Sequence, residues 1–558
     1  MRRILALLAA VVVAAVLAGC ATIPSSGPVR QGEQQEAAEL PDLDLLAAGP
    51  QPGATQEEIL RGFIDAATDP RNNYQIAKEF LTTAFAAEWD PTAAVTIDEF
   101  ADRDEVVTGE DSIRVVASPV AALRANGQYE VVSSSAPIPL EYKFEAVDDE
   151  WRISLAPTGL LMDSADFARV YRQHTLVFFD PEFRFAVPDL RWFAGRDSVQ
   201  TTIVRELLAG PAEWLDAGVV SAFPEGARLE ADSVPITSGV AQVDVDASVE
   251  DQRAVQLMEF QLQTSLESVR SVQEVELSLN GAVQDVPGLA DAPIVNPRVD
   301  ARAVAYDGEA FGHLAAGDEG IVPIAGLSDQ VAALGPIDAA VGPGDASAAV
   351  LAPDGVWLVR EGEAAQLLDP RGGLIAPAMD VHGMVWSAPA DAPDELVVYP
   401  PDGEGVQVPV PWTGSSLAGL EVSRDGTRVI ALVVDGGRAR FVAAAVERDA
   451  DGVPIAVGAA TLALAEVSGS PLDLAWIDDR TVASLSTADE GGTRLVTQVL
   501  AGLATPSTGP QGGVQVDGSN SEREVRVLTS AGEVDTRSGV GWQVRATGIR
   551  FLAPQQTD

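Results

Sequence analysis

The sequence contains few cations. Lysine and arginine total 36 of its 558 residues, against 83 aspartates and glutamates, which gives a formal net charge of −47. Lysine is almost absent and occurs only as Lys78 and Lys143. Neutralising phosphate groups requires clustered positive side chains, so this composition argues against nucleic acid as a partner. We expect the excess of acidic residues mainly to keep the protein soluble.

Histidine and cysteine, which often act as catalytic residues or metal ligands, are also scarce. Histidine occurs three times, at His174, His313 and His382, and cysteine once. The sequence has no H-E-x-x-H, C-x-x-C, G-x-S-x-G, P-loop or G-x-G-x-x-G motif, so metal-dependent hydrolysis, thiol chemistry and nucleotide hydrolysis lack their usual parts. We therefore predict a protein that is not an enzyme, with no catalytic residue, no metal site and no cofactor. The sequence alone does not identify any ligand-binding residue.

A glycosidase that works with carboxylates alone stays open as an alternative, because it needs none of these motifs. Its two carboxyl groups would face each other across a cleft, about 5 to 9.5 Å apart. The acidic residues supply many pairs, and the sequence cannot place any of them in space.

The single cysteine, Cys20, has no partner for an intramolecular disulfide. It follows a positively charged start, "MRR", and an apolar run of 13 residues at positions 4–16. A helix that spans a bilayer needs about 20 apolar residues, so this segment predicts a signal peptide over residues 1–19. A short uncleaved anchor helix is the alternative.

The residues at the end of this run, Leu17, Ala18, Gly19 and Cys20, resemble the lipobox of bacterial lipoproteins. The resemblance implies cleavage between Gly19 and Cys20 and a diacylglyceryl group on the sulfur of Cys20. Two acyl chains anchor a protein stably, at about 0.8 kcal/mol per buried methylene. We therefore predict a chain held on the extracytoplasmic face of the cell membrane by lipid on Cys20.

A tether is predicted to follow over residues 20–53. Its part after the cysteine carries Arg30 against five acidic residues, with several prolines and glycines and little hydrophobic periodicity. At roughly 3.3 Å per extended residue, such a segment reaches on the order of 100 Å. The folded domains could thus stand away from the membrane.

The first folded domain is predicted over residues 54–168. Thr55 and Glu58 form a capping-box pattern, and an apolar stripe continues to Asp69–Pro70. A second helical stripe and a run of strands follow, with Asp148–Asp149 as a turn. This order predicts an α+β domain with a curved antiparallel sheet, with an NTF2-like cone as one form. Such a cone could hold a ligand, although its aromatic residues favour a plain core. These six residues are Phe63, Phe80, Phe85, Tyr142, Phe144 and Trp151. The second stripe consists of Ile76, Ala77, Phe80, Leu81, Ala84 and Phe85.

The second domain is predicted over residues 169–292. A strand precedes a helix that contains Leu207 and Leu208 and ends at Gly210–Pro211. A long helix follows from about residue 251, and Asn280–Gly281 is typical of a type I′ hairpin turn. The element order indicates a compact α/β sandwich.

Several segments of this domain carry a family resemblance. They are "VRELLAGP", "SAFPEGARL", "GVAQVDVDAS", "LMEFQLQTSL" and "VELSLNG", with "FFDP" and "VPDLRWF" before them. The five segments look like the GerMN domain of exported bacterial proteins. With the lipobox before them and a large β-region after them, the whole chain resembles the LpqB-type lipoproteins of actinobacteria. That resemblance implies an envelope protein that associates with the extracytoplasmic part of a two-component sensor histidine kinase and modulates its signalling.

A β-propeller is predicted over residues 293–558. Short apolar runs alternate there with glycine-rich turns, and an apolar residue followed by an acid recurs in what we expect to be comparable positions, at intervals of 38 to 52 residues. A period near 40 is typical of four-stranded propeller blades, and about six blades fit the length. The resemblance to LpqB-type proteins implies the same domain. The pairs are Val299–Asp300, Ile337–Asp338, Met379–Asp380, Leu420–Glu421, Leu472–Asp473 and Val516–Asp517.

These observations predict a lipid-anchored, non-enzymatic envelope protein that binds partner proteins, and the kinase rests on the resemblance alone. The alternative is an envelope receptor that binds a cell-wall sugar or peptide through the propeller or the N-terminal cone. A pocket lined by two or more exposed tryptophans would favour the receptor. The tryptophans in question are Trp357, Trp386, Trp412, Trp476 and Trp542.

Overall fold

The computed structural model describes residues 47–132, 136–196, 198–285, 287–315, 320–539 and 541–557. The predicted signal peptide, the Gly19–Cys20 cleavage and lipid site, and tether residues 20–46 lie outside the described residues. Residues 47–558 form one compact unit. Within the described ranges, no helix is both long and apolar enough to cross a membrane.

The N-terminal part, residues 47–170, combines short helices with two four-stranded sheets, in the orders β5-β4-β1-β8 and β2-β3-β6-β7. Its helices are α1 Gln56–Ala66, α2 Gln75–Lys78, α3 Thr83–Glu88 and α4 Ser164–Val170. Its strands are β1 Ala94–Asp98, β2 Asp104–Gly109, β3 Ser112–Ala117, β4 Pro119–Arg124, β5 Tyr129–Val131, β6 Ile138–Val147, β7 Glu150–Leu155 and β8 Leu160–Asp163.

The predicted capping box begins α1. The hydroxyl of Thr55 accepts a hydrogen bond from the N–H of Glu58, and the Glu58 carboxylate accepts one from the N–H of Thr55 at 2.8 Å. The predicted turn at Asp148–Asp149 joins β6 to β7, with positive φ angles at both residues. Both signals are local, and both are confirmed.

The apolar stripe predicts one continuous second helix, and this prediction is wrong. The backbone leaves the helix after Lys78, because Phe80 and Thr82 form hydrogen bonds with both backbone groups of Ile153 on β7, at 2.8 and 2.9 Å. The Thr82 hydroxyl then caps α3 by accepting from the N–H of Phe85. The apolar residues of the stripe still reach the core, but from two short helices and a β-bridge.

The middle part, residues 171–295, is an α/β sandwich with the sheet orders β16-β10-β9 and β11-β13-β14-β15. Strands β13 and β14 are parallel, with α6 as the crossover, and β12 pairs with β13. Asn280 and Gly281 turn at φ +51° and +77°, as the type I′ signal predicts. The elements are β9 Tyr171–Phe179, β10 Phe185–Ala194, α5 Val199–Ala209, β11 Arg228–Leu229, β12 Ile236–Thr237, β13 Val240–Asp246, α6 Gln252–Leu266, β14 Glu274–Leu279, β15 Ala282–Val283 and β16 Ile294–Val295.

Strand β16 lies just beyond the predicted domain boundary at residues 292–293. It pairs in parallel with β10, through Ile294 opposite Phe185 and Val295 opposite Ala186. The chain therefore returns to the middle part before it enters the propeller. The predicted boundaries stay predictions.

Between Val304 and Ala553 the described residues form six four-stranded sheets and one short α-helix, α7 Ser328–Ala333. The predicted propeller fold is confirmed. Its strands are β17 Val304–Tyr306, β18 Phe311–Leu314, β19 Ile321–Pro323, β20 Asp338–Val341, β21 Ser347–Ala352, β22 Gly355–Arg360, β23 Gln366–Asp369, β24 Ala378–Met379, β25 Val385–Ser387, β26 Val397–Tyr399, β27 Val406–Gln407, β28 Ser416–Val422, β29 Arg428–Asp435, β30 Arg438–Arg448, β31 Pro454–Ala463, β32 Pro471–Trp476, β33 Thr481–Thr487, β34 Thr493–Val499, β35 Ala504–Thr508, β36 Gly513–Asp517, β37 Arg526–Thr529, β38 Val534–Ser538, β39 Gly541–Ala546 and β40 Phe551–Ala553.

The last strand closes the ring. Strand β40 pairs with β17 in the order β19-β18-β17-β40 and contacts the innermost strands β20 and β36 of the flanking sheets. The first sheet thus takes its innermost strand from the far end of the sequence. The repeat of apolar–acid pairs therefore does not begin at an innermost strand. Asp300 precedes β17, which is the second strand of its sheet.

The apolar–acid pairs do not occupy equivalent positions in the sheets. Asp338 is the first residue of its innermost strand, Asp517 is the last residue of its strand, and Asp380 follows the last residue of β24. The expectation that the pairs mark comparable positions is therefore wrong. The spacing between the pairs reflects the length of one four-stranded sheet with its turns. It does not mark the same position in each sheet.

The middle part and the propeller share one apolar core. Side chains of α5 and α6 belong to the same buried cluster as side chains of β29, β30 and β32. The indole of Trp192 on β10 packs in the N-terminal core and donates a hydrogen bond to the carbonyl of Ala501 in the propeller. The propeller members of the cluster include Ile430, Leu432, Phe441, Ala443, Leu462, Leu474 and Trp476.

Candidate functional site in the propeller channel

Acidic side chains from several sheets meet around the channel that the innermost strands enclose. Glu421 on β28 and Asp517 at the end of β36 line a cavity there, together with Arg424 and Trp476. The cavity is small, with a volume of about 30 Å³ that the centres of water molecules can occupy. That is room for roughly two or three water molecules.

The acidic side chains tie neighbouring sheets together. The Glu421 carboxylate accepts a hydrogen bond from the N–H of Trp476 on β32, at 2.9 Å. Asp473 on β32 accepts in the same way from the N–H of Val516 on β36, at 2.8 Å. Each bond runs from the innermost strand of one sheet to that of the next, so these carboxyl groups have a structural task.

Burial changes the acidity of these groups. It raises the pKa of Glu421 and of Asp473 well above the usual carboxyl range, and it raises the pKa of Asp338 to about 7. Burial also raises the pKa of Asp517, although Arg526 pairs with it at 2.8 Å and opposes the shift. The channel thus holds carboxyl groups whose protonated form is favoured by burial.

Arg424 is the cation that lines the cavity. Its guanidinium donates to main-chain carbonyls, those of Ser519 and of Ile477, the latter at 3.2 Å. Burial lowers the pKa of Arg424, while the nearby acids oppose that shift. The guanidinium joins two adjacent sheets at the end of the channel.

The residues that follow β40 occupy this end of the channel. We call Pro554–Thr557 the channel segment. Gln555 and Gln556 line the cavity beside Glu421 and Asp517. The sequence analysis did not select these residues. The one available signal was a polar "QQT" that follows the apolar strand "FLA" after a single proline, which indicates a change of environment but no location.

The tryptophans do not form an aromatic cleft. Trp386, Trp412 and Trp476 are buried, and of the five candidates Trp476 alone lines the channel cavity. Their indoles donate inside the fold, for example Trp412 to the carbonyl of Pro393 at 3.0 Å. In the part of the chain that the structure describes, these residues act as core.

The N-terminal part has a second cavity near α1, lined by Phe63, Tyr142 and Leu161 among others. The volume that the centres of water molecules can occupy in this cavity is only about 20 Å³. The six aromatic residues predicted to form core contribute to this core, with Phe85 and Trp151 partly buried at its edge. The cone therefore has little room for a ligand in this conformation.

The three histidines lie on separate elements. His174 on β9 shares a hydrogen bond with the Ser268 hydroxyl at 2.8 Å, and burial lowers its pKa to about 4. His313 on β18 pairs with Asp345 at 2.7 Å, and His382 follows β24. Among the described residues, no group of three or more histidine, cysteine or acidic side chains is placed to hold a metal ion.

Three family models match the chain, one on each folded part. Residues 49–168 match the N-terminal domain of lipoprotein LpqB, and residues 312–554 match the LpqB β-propeller domain. Residues 175–285 match the family described as sporulation and spore germination, Germane. The chain belongs to the LpqB lipoprotein family.

Relatives named lipoprotein LpqB occur in several actinobacteria. The protein of Thermobifida fusca is 31% identical over 305 residues, covering 52% of this chain and 48% of that protein. The protein of Mycobacterium tuberculosis is 28% identical over 486 residues, covering 78% of this chain and 79% of that protein. The match thus spans about half of the first LpqB relative and about four fifths of the second.

Solved structures also match parts of this LpqB-family chain. A nidogen/laminin complex is 10% identical with a TM-score of 0.32, covering 45% of this chain and 95% of that one. The first GerMN domain of the sporulation protein GerM from Bacillus subtilis is 22% identical with a TM-score of 0.17, covering 22% of this chain and 93% of that one.

Proposed function

We propose that this chain is a lipid-anchored protein of the extracytoplasmic membrane face that binds a partner protein and modulates a sensor histidine kinase without catalysing a reaction. The observation that carries the proposal is the order of its parts. A lipobox-like Leu17–Cys20 precedes an LpqB N-terminal domain, a GerMN-type domain and an LpqB propeller. The kinase enters through the family resemblance.

The shared core supports a scaffold that acts as one body. Apolar side chains of the middle part and the propeller form a continuous cluster, and the Trp192 indole links the N-terminal core to the propeller. A rigid three-part body on a lipid anchor would present fixed surfaces to a membrane-bound partner. Flexible interdomain hinges would present them less reproducibly.

The channel geometry weighs against the enzymatic and receptor alternatives. Glu421 and Asp517 face one cavity, but its room for a few water molecules is too small for a sugar ring. The candidate tryptophans of a carbohydrate cleft are mostly core. A glycosidase or a sugar receptor would need this site to open widely.

Crosslinking in intact cell envelopes tests the proposal. A photoreactive residue is placed at exposed positions of the chain, and crosslinked products are identified after solubilisation. We expect a sensor kinase among them, and we expect its autophosphorylation rate to change when the purified chain is added. The Cys20→Ser chain, released from the membrane, is the matched control and should crosslink less. Repeated experiments that recover no kinase from the anchored chain would contradict the proposal.

A further inference from the structure

The channel segment binds the propeller as an added extended strand. The N–H of Val341 on β20 donates to the carbonyl of Pro554 at 2.8 Å, and the N–H of Gln556 donates back to the carbonyl of Val341 at 3.1 Å. This is a parallel bridge between Val341 and Gln555. Main-chain bonds of this kind let a sheet edge bind an extended peptide.

Side-chain amides and one hydroxyl supply the rest of the binding, the Thr557 hydroxyl by donating to the carbonyl of Arg298 at 3.0 Å. Gln556 Nε2 donates to the carbonyl of Met379 at 2.7 Å and to that of Val422 at 3.2 Å, which belong to two neighbouring innermost strands. Gln555 Nε2 donates to the carbonyl of Arg302 at 2.8 Å. These acceptors are main-chain carbonyls, so the site recognises primary amide donors on an extended backbone.

The channel segment is separable from the closure of the ring. Strand β40 ends at Ala553, where its last pair with Val304 of β17 is already made. The residues beyond Pro554 are polar, and both glutamines are partly exposed. Detaching the segment would break its hydrogen bonds and expose Thr557, which is buried, but it would expose little apolar surface and could leave the strand before it paired.

The neighbouring cavity has no room for a second occupant while the segment is in place. With Gln555 and Gln556 in place, the channel beside Glu421 and Asp517 has room for water only. Removing the two glutamine side chains would join their volume to this cavity. The channel is then open to another extended chain of the same chemistry.

We propose that the propeller channel is a binding site for an extended peptide with glutamine-type amide side chains, and that residues 554–557 occupy it as an intramolecular ligand that blocks the site. The inference goes beyond the proposed function, because it concerns the channel alone and holds whether or not the partner is a kinase. The site offers carbonyl acceptors from β20, β24 and β28 to whichever segment occupies it.

Peptide binding tests this inference. A fluorescent peptide with the sequence APQQTD is titrated into the full chain and into a chain that ends at Ala553, and anisotropy is measured. We expect the shortened chain to bind at least about tenfold more tightly, because the full chain's own segment competes. The same peptide with both glutamines replaced by glutamate should not bind, since its carboxylates would face carbonyl oxygens.

A second variant covers the case in which the shortened chain does not fold. Gln556→Glu in the full chain removes the donor to Met379 and Val422 without changing side-chain size, and should raise peptide binding above that of the unchanged chain. Gln284→Glu is the matched control, because the side-chain amide of Gln284 donates to the surface carbonyl of Ala282 at 2.7 Å, outside the channel. If a folded shortened chain and the Gln556→Glu chain both bind the peptide no better than the unchanged chain, the inference is overturned.

Discussion

The indole N–H of Trp192 donates a hydrogen bond to the main-chain carbonyl of Ala501 at 2.9 Å. The two residues are 309 positions apart, and both are buried. Trp192 lies on β10 and packs in the N-terminal core, while Ala501 belongs to the turn between β34 and β35 of the propeller. One side chain thus joins the first core of the chain to its last domain.

Trp192→Phe should lower the free energy of unfolding by about 1–3 kcal/mol, because a buried carbonyl loses its donor and a small cavity remains. Chemical denaturation with far-UV circular dichroism measures the change. Trp542→Phe is the matched control. Its indole also donates to a carbonyl, that of Thr508 at 2.8 Å, but at the surface, so the loss should be smaller. Equal losses would contradict a special role for the buried contact.

The buried ion pair of β10 should be more critical than any surface pair. Asp189 and Arg191 have side chains that are 0% and 1% exposed and make two hydrogen bonds, at 2.7 and 3.0 Å. Arg191 also donates to the carbonyl of Asn126 in the N-terminal part, and Asp189 accepts from the N–H of Ala212. Asp189→Asn leaves a buried guanidinium without its counter-charge, so we expect a loss of about 3–5 kcal/mol.

Thermal and urea unfolding of the Asp189→Asn chain measure this loss. Asp402→Asn is the control, because Asp402 pairs with Arg360 at 2.8 Å while its side chain is 86% exposed. We expect that substitution to change stability by less than about 1 kcal/mol. A result in which both chains unfold alike would show that the β10 pair is not needed.

Local signals in the sequence predicted local structure well. The Thr55–Glu58 capping box and the Asn280–Gly281 turn depend on atoms within a few residues, and the structure has both. The composition and periodicity of each part also predicted its class of fold. Such signals are short-range, so no knowledge of distant contacts was needed to interpret them.

The errors arose where distant strands decide the local structure. The second helix breaks because Leu81 and its neighbours bond to β7, more than 70 residues later. The apolar–acid pairs do not mark equivalent strands, because β40, from the other end of the propeller sequence, supplies the innermost strand beside β17. The channel glutamines were missed for the same reason, since Gln556 acquires its role only through carbonyls of Met379 and Val422.

Cys20→Ser should abolish incorporation of radiolabelled fatty acid and release the chain from the membrane. The prediction follows from the lipobox resemblance, in which the sulfur of Cys20 is the only site of thioether attachment. The released chain should unfold at the same temperature as the anchored one, because residues 47–558 form a compact unit without Cys20. Unchanged lipid labelling of the Cys20→Ser chain would refute the anchor.

Asp338 should make the propeller less stable as the pH rises. In the unfolded chain this carboxyl titrates near 3.8, whereas burial raises its folded pKa to about 7. The folded chain therefore holds the proton more tightly, and its free energy of unfolding falls as the pH rises from about 4 to about 7. Above that range the cost of burying the carboxylate is fully present.

Asp338→Asn removes this cost and should stabilise the chain at pH 8 by about 1 kcal/mol or more, because one pKa unit corresponds to about 1.4 kcal/mol. The Gln515 amide that faces Asp338 keeps its bond to the carbonyl of Leu552 at 2.9 Å. Urea unfolding at pH 5 and pH 8 measures the effect, and the difference between the two pH values should shrink in the variant.

Asp300→Asn is the control of opposite sign. Its ion pair with Arg302 lowers the pKa of Asp300 to about 2, so this carboxylate contributes stability above about pH 3.8 and loses it as the pH falls towards 2. Neutralising Asp300 should therefore give no gain at pH 8. If Asp338→Asn gave no gain either, and the pH dependence were unchanged, its carboxyl would be hydrated in the channel rather than held in the protonated form by burial.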